Sequence, residues 1–433
     1  MSAPVSSGSV STAFGALPRP HPKPWPLTAS EKLLERARAR IPTGTLSMMK
    51  QPEHFCPGSF PIYLQDGHGA LVRDVDDNEY IDFVCGLGAS ALGHRHPDLE
   101  RAAMAALERG FIHSLPHPLE VEAAELLCDT VGAEMVRFFK TGADATAAAI
   151  RLARAHTGRD RVFTVGYNGW HDVFQYDTPG VPEPVAALSR RFPLFTPPDE
   201  PALLDAVAAE GGELAAVIVA LPYNRRVDPA FLAELKVRCA DRGALLIFDE
   251  IVTGFRLGIA GAQSMFGVTP DLSTYSKALA AGMPLSAVTG PERILKDMEK
   301  LQVSTTFGGE LASLAVAIAA LRIYRETDHI ERCAALGRRM KAGLEAAAKD
   351  TETPLKVLGY DPLPLIAFAP MPAHIPFGRE FQGRMAERGV VLRRDLNFIC
   401  GAHTEAQVDF MVAAAKECLV EMSASGVFEE LKR

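Results

Sequence analysis

Between Phe60 and Phe83 the chain reads FPIYLQDGHGALVRDVDDNEYIDF, short β-rich runs broken by Asp-Gly and Asp-Asn turns, which predicts a small antiparallel meander. From about Pro97 the pattern changes. Apolar positions recur every three or four residues over 97–109, 119–130 and 143–155, predicting helices. Strand-like runs rich in β-branched and aromatic residues at 135–139 and 161–165, and apolar throughout at 215–219 and 244–248, predict buried strands between and after them. Such alternation specifies an α/β fold, a mainly parallel sheet with helices on both faces. Beyond Gly309, helices over 312–324, 330–348 and 406–421 with strands near 356–358 and 364–369 predict a smaller C-terminal α/β unit.

Upstream of the meander, Thr28-Ala-Ser-Glu31 fits a capping box and predicts a helix over 29–39, closed by Pro42 and Gly44. Residues 1–27 are rich in Ser, Pro, Ala and Gly, lack acidic residues and have no apolar stretch of the secretory kind, so a disordered tail is expected. The resulting partition is a tail over 1–28, an N-terminal segment over 29–96, a large domain over 97–311 and a small domain over 312–433.

Composition narrows the function classes. A hydrophobic fraction of 48% over 433 residues supports a sizeable globular core. The net charge of −8 argues against a nucleic-acid binder, and no apolar run is long enough to span a membrane. Seven widely spaced cysteines without a CxxC pair read as free thiols in a reducing cytoplasm.

In an open parallel sheet, ligands bind beyond the carboxyl ends of the strands. Three strand-end positions carry chemistry there. Lys140-Thr141-Gly142-Ala143-Asp144 opens an Ala-rich helix, where small residues let backbone N–H groups approach an anion. Asp249-Glu250 follows GALLIF and delivers a carboxylate to the sheet rim, with no His or Cys at metal-ligand spacing nearby. Lys277 lies among apolar and small residues in DLSTYSKALAAGMPLSAV, where desolvation lowers an ammonium pKa. Each part alone has an ordinary explanation as a turn, a cap or a snorkelling lysine. Together they match the needs of pyridoxal 5'-phosphate (PLP): a Schiff-base lysine, an acid for the ring nitrogen and N–H donors for the phosphate. No GxGxxG follows a strand with an acidic residue at the dinucleotide spacing, which sets a nucleotide-binding oxidoreductase aside.

The segments GALVRDVDDNEYIDFVCGLGASALGHRHP, MVRFFKTGADATAAAIRLARAHTGRD, GYNGWHD, GALLIFDEIVTGFR, GVTPDLSTYSKALAAGMPLSAV and TTFGGE occur in this order. With them the chain resembles a class III PLP-dependent aminotransferase of fold type I, in the style of the glutamate-1-semialdehyde aminomutase branch. The resemblance implies a large domain with a mainly parallel seven-stranded sheet and a smaller C-terminal α/β domain. It implies that Lys277 carries the cofactor and shuttles a proton, that Asp249 pairs with the ring nitrogen, and that Ile251 and Tyr167 cover the two ring faces. Gly142, Ala143 and Thr141 would hold the phosphate, with Asn168 beside the ring. Thr306 would reach the phosphate of a partner subunit, implying a homodimer with shared active sites.

Departures from the aminomutase pattern bear on the substrate. Where that branch has an arginine for the substrate carboxylate, TGTLSMMKQ offers Lys50, and Leu87 in CGLGAS replaces a pocket tryptophan. The strings TFGGE and GYNGWHD resemble the branch that aminates sugars and aminoglycosides in antibiotic biosynthesis. The resemblance therefore implies ping-pong transfer from an amino donor, glutamate or glutamine, to a carbonyl of an amino-sugar or aminoglycoside-type intermediate. A glutamate-1-semialdehyde 2,1-aminomutase or an epimerase on the same scaffold is the alternative. Lys50, Arg393 and Arg394 are the candidates for clamping the acceptor.

Overall fold

A computed structural model describes residues 14–19, 26–369 and 374–428. The meander forms as β1 (Leu64–His68), β2 (Leu71–Asp74) and β3 (Glu79–Asp82), antiparallel in that order. The large sheet contains β4 (Met135–Phe139), β5 (Arg161–Val165), β6 (Ser189–Phe192), β7 (Leu214–Val219), β8 (Leu245–Asp249), β9 (Leu272–Tyr275) and β10 (Ser286–Gly290). Its spatial order is β4-β10-β9-β8-β7-β5-β6. All neighbours run parallel except β10, which is antiparallel to β4 and β9. In the C-terminal part, β11 (Leu355–Tyr360) and β12 (Leu363–Phe368) make a hairpin, and β13 (Val390–Val391) pairs in parallel with β3.

Every residue of β7 and β8 is buried, which is why these strands read as unbroken apolar runs. Edge strand β6 has the sequence SRRF with both arginines exposed, so its polarity hid it from a search for apolar runs. The helix Gly142–Thr157 lays Ala145, Ala148, Ala149, Leu152 and Ala153 into a core with Ala216, Ile218, Ile247 and Val288 of the sheet. Small side chains bring this helix close to the strands, and that fixes where its N-terminus meets the sheet rim.

Two local expectations differ from the structure. The first helix spans Thr28–Arg38 with Leu27 at its N-cap, and no side chain of its own sequence caps it. Instead Asp76, in the β2–β3 turn, accepts the Ala29 and Ser30 N–H groups at 2.6 and 2.9 Å. A carboxylate at a helix N-terminus satisfies orphan donors and favours the dipole, so the tertiary cap displaces the local box. Within the expected disordered tail, residues 14–19 lie against the fold: Arg73 sits 4.6 Å over the Phe14 ring, Gln407 Nε2 donates to Ala16 O at 3.0 Å, and Arg19 Nε meets Glu79 Oε1 at 2.9 Å. Cation–π and ion-pair contacts offset the entropy of ordering this short stretch. The rest of that tail, 1–13 and 20–25, lies outside the described residues.

The N-terminal meander and the C-terminal residues share one core. Leu71, Ile81 and Phe83 pack with Phe368, Phe381, Leu392 and Ile399. The turn after β3, Cys85–Gly88, is thereby held between the large sheet and the C-terminal segment that follows β13.

Candidate active site

Strands β8 and β9 are neighbours, with Asp249 paired in register to Thr274, so Asp249 and Lys277 leave the sheet side by side. Asp249 is 6% exposed. Its Oδ2 accepts from Asn168 Nδ2 at 2.9 Å and its Oδ1 from the Ile251 N–H at 3.1 Å. Burial pushes its pKa up to about 6, while the Asn168 bond, the Ile251 N–H and the nearby Lys277 pull in the other direction.

Lys277 opens a short 3-10 turn and has φ +46°, a left-handed conformation costly for a side-chain-bearing residue. Burial and the charges of Arg256 and Arg393 bring its pKa down to about 8, against the opposing pull of Asp249. The pair therefore approaches neutrality from both sides. An amine at about 8 is a usable nucleophile near neutral pH.

Across from this pair is the N-terminus of helix Gly142–Thr157. Thr141 caps it, its hydroxyl accepting the Asp144 N–H at 3.2 Å while Asp144 Oδ2 accepts the Thr141 N–H at 2.9 Å. The Gly142 and Ala143 N–H groups, in the first turn, have no intrahelical acceptor, a position from which backbone donors can meet an anion. A Cβ on Gly142 would sit 3.0 Å from Ile251 Cδ1, so the glycine lets Ile251 close over the helix start. Thr146 Oγ1 donates to Asn168 O at 2.6 Å, tying the Tyr167-Asn168 loop to the same helix. Tyr167 itself is 72% exposed at the rim.

These residues fit PLP on structural grounds. Asn168 Oδ1 is buried without a partner, Gly142 leaves room that a Cβ would fill, and the carboxylate and amine stand beside the helix N-terminus.

Lys277, Asp249, Asn168, Ile251, Thr141, Gly142 and Ala143 are thus gathered at one place, with Tyr167 at its edge. Leu87 lies in the Cys85–Gly88 turn with φ +60°, and the Gly88 carbonyl of that turn accepts from Arg256 Nη2. Lys50 is exposed at the end of the 3-10 turn Met48–Lys50, whose Met49 carbonyl accepts from Arg393 Nη1 at 3.3 Å. Thr306 lies on an exposed loop and makes no hydrogen bond among the described residues.

Sequence reasoning missed Arg256. It is 4% exposed, donates to Val252 O at 3.0 Å and to Gly88 O, and is the charged neighbour that most depresses Lys277. Its place at the end of GALLIFDEIVTGFR, after an apolar run, was the available signal. Glu250 turns the other way from Asp249. It accepts the Ala262 and Gln263 N–H groups at 2.9 and 3.2 Å, so of the two adjacent carboxylates one caps a helix and the other faces the site. Arg393 is held by Asp395 through two bonds of 2.7 and 2.8 Å.

Comparison with known proteins agrees with this geometry. The aminotransferase class-III family pattern matches residues 57–173 and 204–396. A 3-aminobutyryl-CoA aminotransferase of Cloacimonas acidaminovorans is 31% identical over 405 residues, covering 92% of this chain and 98% of that protein. A glutamate-1-semialdehyde 2,1-aminomutase of Myxococcus xanthus is 32% identical, covering 92% and 99%. Among solved structures, the PLP internal aldimine form of the Sphingopyxis sp. MTA144 FumI protein superimposes with a TM-score of 0.86 at 30% identity, covering 92% of this chain and 97% of that one. The large sheet, the paired strand ends and these matches place the chain in the class-III aminotransferases, PLP-dependent enzymes of the type I fold.

Proposed function

We propose that this chain transfers an amino group from a donor amino acid, glutamate or glutamine, to the carbonyl of a second small molecule in two half-reactions. The observation that carries this reading is the placement of Lys277 and Asp249 on adjacent strand ends, with both pKa values moved toward neutrality. When bound, PLP supplies an aldehyde that accepts the donor nitrogen and a protonated ring that spreads negative charge from the reacting carbon. Asp249, kept in place by Asn168 and the Ile251 N–H, holds the proton at the ring nitrogen. Lys277 takes and returns the proton at the substrate carbon, a task its pKa of about 8 suits. Gly142 and Ala143 would hold the phosphate through their N–H groups with Thr141 beside them, and Ile251 and Tyr167 would cover the ring faces.

For the acceptor, the loops GYNGWHD and TFGGE support an amino-sugar or aminoglycoside-type carbonyl, and the side chain of Leu87, smaller than a tryptophan, agrees with a bulky substrate. A second reading, an acceptor that bears a carboxylate, as glutamate-1-semialdehyde does, is favoured by Arg393. That guanidinium is close enough to Lys277 to lower its pKa.

The reading also includes a homodimer. Met104 on the helix Pro97–Leu107 and Phe111, Leu115 and Phe307 on loops expose between 59 and 78% of their surface, and the Leu311 N–H to Phe111 O bond of 3.0 Å joins the two loops that carry the last three. A second copy of this chain covering that face would bring its Thr306 loop to the phosphate site. A cytoplasmic setting is in keeping with seven free cysteines.

Replacing Lys277 with Ala tests the site. Turnover and the borohydride-reducible adduct at that peptide should both vanish, and survival of either overturns the assignment. An acceptor screen then compares a 6'-oxo aminoglycoside with glutamate-1-semialdehyde. Faster turnover of the semialdehyde, without any amino donor, would replace the transaminase with an aminomutase.

A further inference from the structure

Lys277 stands in a turn whose backbone is strained at both ends. Its own φ is +46°, and Ala281, which closes the 3-10 turn Lys277–Ala280, has φ +43°. Neither residue is a glycine, so each holds a left-handed conformation that persists only where the surrounding contacts over-determine it. Those contacts are therefore part of how the lysine is placed.

Within the turn, the Ala281 N–H donates to Ala278 O at 3.2 Å and the Leu279 N–H to Ser276 O at 2.9 Å. The Ser276 hydroxyl donates onward to Leu285 O at 2.9 Å. A further bond arrives from a distant element: Tyr324 Oη donates to Ala278 O at 2.8 Å, across 46 positions of sequence. Tyr324 lies near the end of the helix Leu311–Glu326 and is 3% exposed. A carbonyl oxygen has two lone pairs, so the Ala281 N–H and the Tyr324 O–H together saturate Ala278 O.

The tyrosine ring is itself fixed. It stacks on Phe255 with centroids 5.2 Å apart and planes 14° from parallel, and it shares a core with the fully buried Ala278, Leu279 and Ala280. Burial pushes its pKa up, so the hydroxyl stays a neutral donor. Tyr275 belongs to the same core and is equally buried, yet its hydroxyl donates to Ala260 O at 3.2 Å, outside the turn.

We propose that Tyr324 is a positioning residue for Lys277: by fixing the Ala278 carbonyl, its hydroxyl holds the strained turn in the conformation from which the lysine amine serves the amino-transfer site. This rests on Lys277 being the amine that joins the cofactor and moves the proton. A lysine amine rides on a flexible four-carbon stem, so the backbone that carries the stem sets how often the amine comes within reach of a reacting atom. Without the tyrosine hydroxyl the turn keeps its packing but loses a restraint against relaxing its φ angles. The steps that the amine performs then slow, while binding of the donor is untouched.

The test is Tyr324→Phe, which keeps the ring and its stacking on Phe255. In rapid-mixing absorbance the cofactor-free variant should capture PLP about tenfold more slowly, and kcat of the holoenzyme should fall about tenfold with the donor KM unchanged. The break in the pH profile of capture near 8 should stay in place, because no charge is removed. Tyr275→Phe, which takes a hydroxyl bond out of the same core, should keep its capture rate and kcat within about twofold. Capture at the full rate by Tyr324→Phe, or equal slowing in Tyr275→Phe, overturns the proposal whatever happens to stability. Borohydride reduction of the unsubstituted holoenzyme separates this from a failure of the underlying reading. An adduct on a lysine other than Lys277 overturns both, whereas an adduct on Lys277 with unimpaired capture by Tyr324→Phe overturns the positioning role alone.

Discussion

At Lys277 and Asp249, one buried neighbourhood moves a base and an acid toward each other. Lys277 is brought down to about 8 and Asp249 up to about 6, in both cases chiefly by burial. Because the lowered lysine pKa favours the free amine, the rate at which cofactor-free enzyme captures PLP should rise tenfold per pH unit up to about 8 and then level off. Rapid-mixing absorbance at a series of pH values checks this. Arg256→Met removes the largest charge acting against the ammonium, so the break in that profile should move upward, and an unmoved break would exclude Arg256 as its cause. For Asp249 the sign is opposite. Its folded pKa lies above the ordinary 3.8, so folded protein binds the proton more tightly, and stability falls as pH rises from about 4 through about 6. Asp249→Asn should therefore stabilise cofactor-free protein at pH 7 by up to about 3 kcal/mol, an advantage absent below pH 4, while reducing turnover at least a hundredfold. Denaturant titrations at the two pH values measure the first effect. Lysine in an apolar run and aspartate after an apolar strand were legible in sequence because burial leaves a local mark. Asn168 donating to Asp249 across 81 positions left none.

Elements were legible in proportion to their burial and length. Strands β4 and β5 occupy the residues their patterns indicate, and the helix expected over 143–155 extends only to Gly142–Thr157. The cap of the first helix was misread because the local sequence offers a capping box that the fold does not use. Asp76 supplies the acceptors instead, so Asp76→Ala should cost about 1 kcal/mol, whereas Thr28→Ala should change little. Chemical denaturation of the two variants separates the readings. Strand β13 has two residues and exists only because β3 offers it a partner, so no periodicity could reveal it.

At the scale of the whole molecule, the exposed apolar face carries the proposed second copy. Phe307→Asp places a charge in the exposed apolar face and should convert a dimer to monomers that hold PLP at least tenfold more weakly, since Thr306 would then be missing from the partner's site. Light scattering and cofactor titration report the two effects, and a dimer that persists with full affinity would remove Thr306 from the site. Periodicity by itself determined the α/β class, and six ordered motifs determined the family, because strand burial, glycine turns and strand-end chemistry are written in consecutive residues. Only the tertiary structure decided that residues 14–19 dock, that the meander shares a sheet and core with the C-terminal segment, and that Arg256 and Arg393 act on Lys277. Each of these depends on groups far apart in the chain meeting in a low-dielectric interior, where a charge or hydrogen-bond partner acts through distance in space rather than position in sequence.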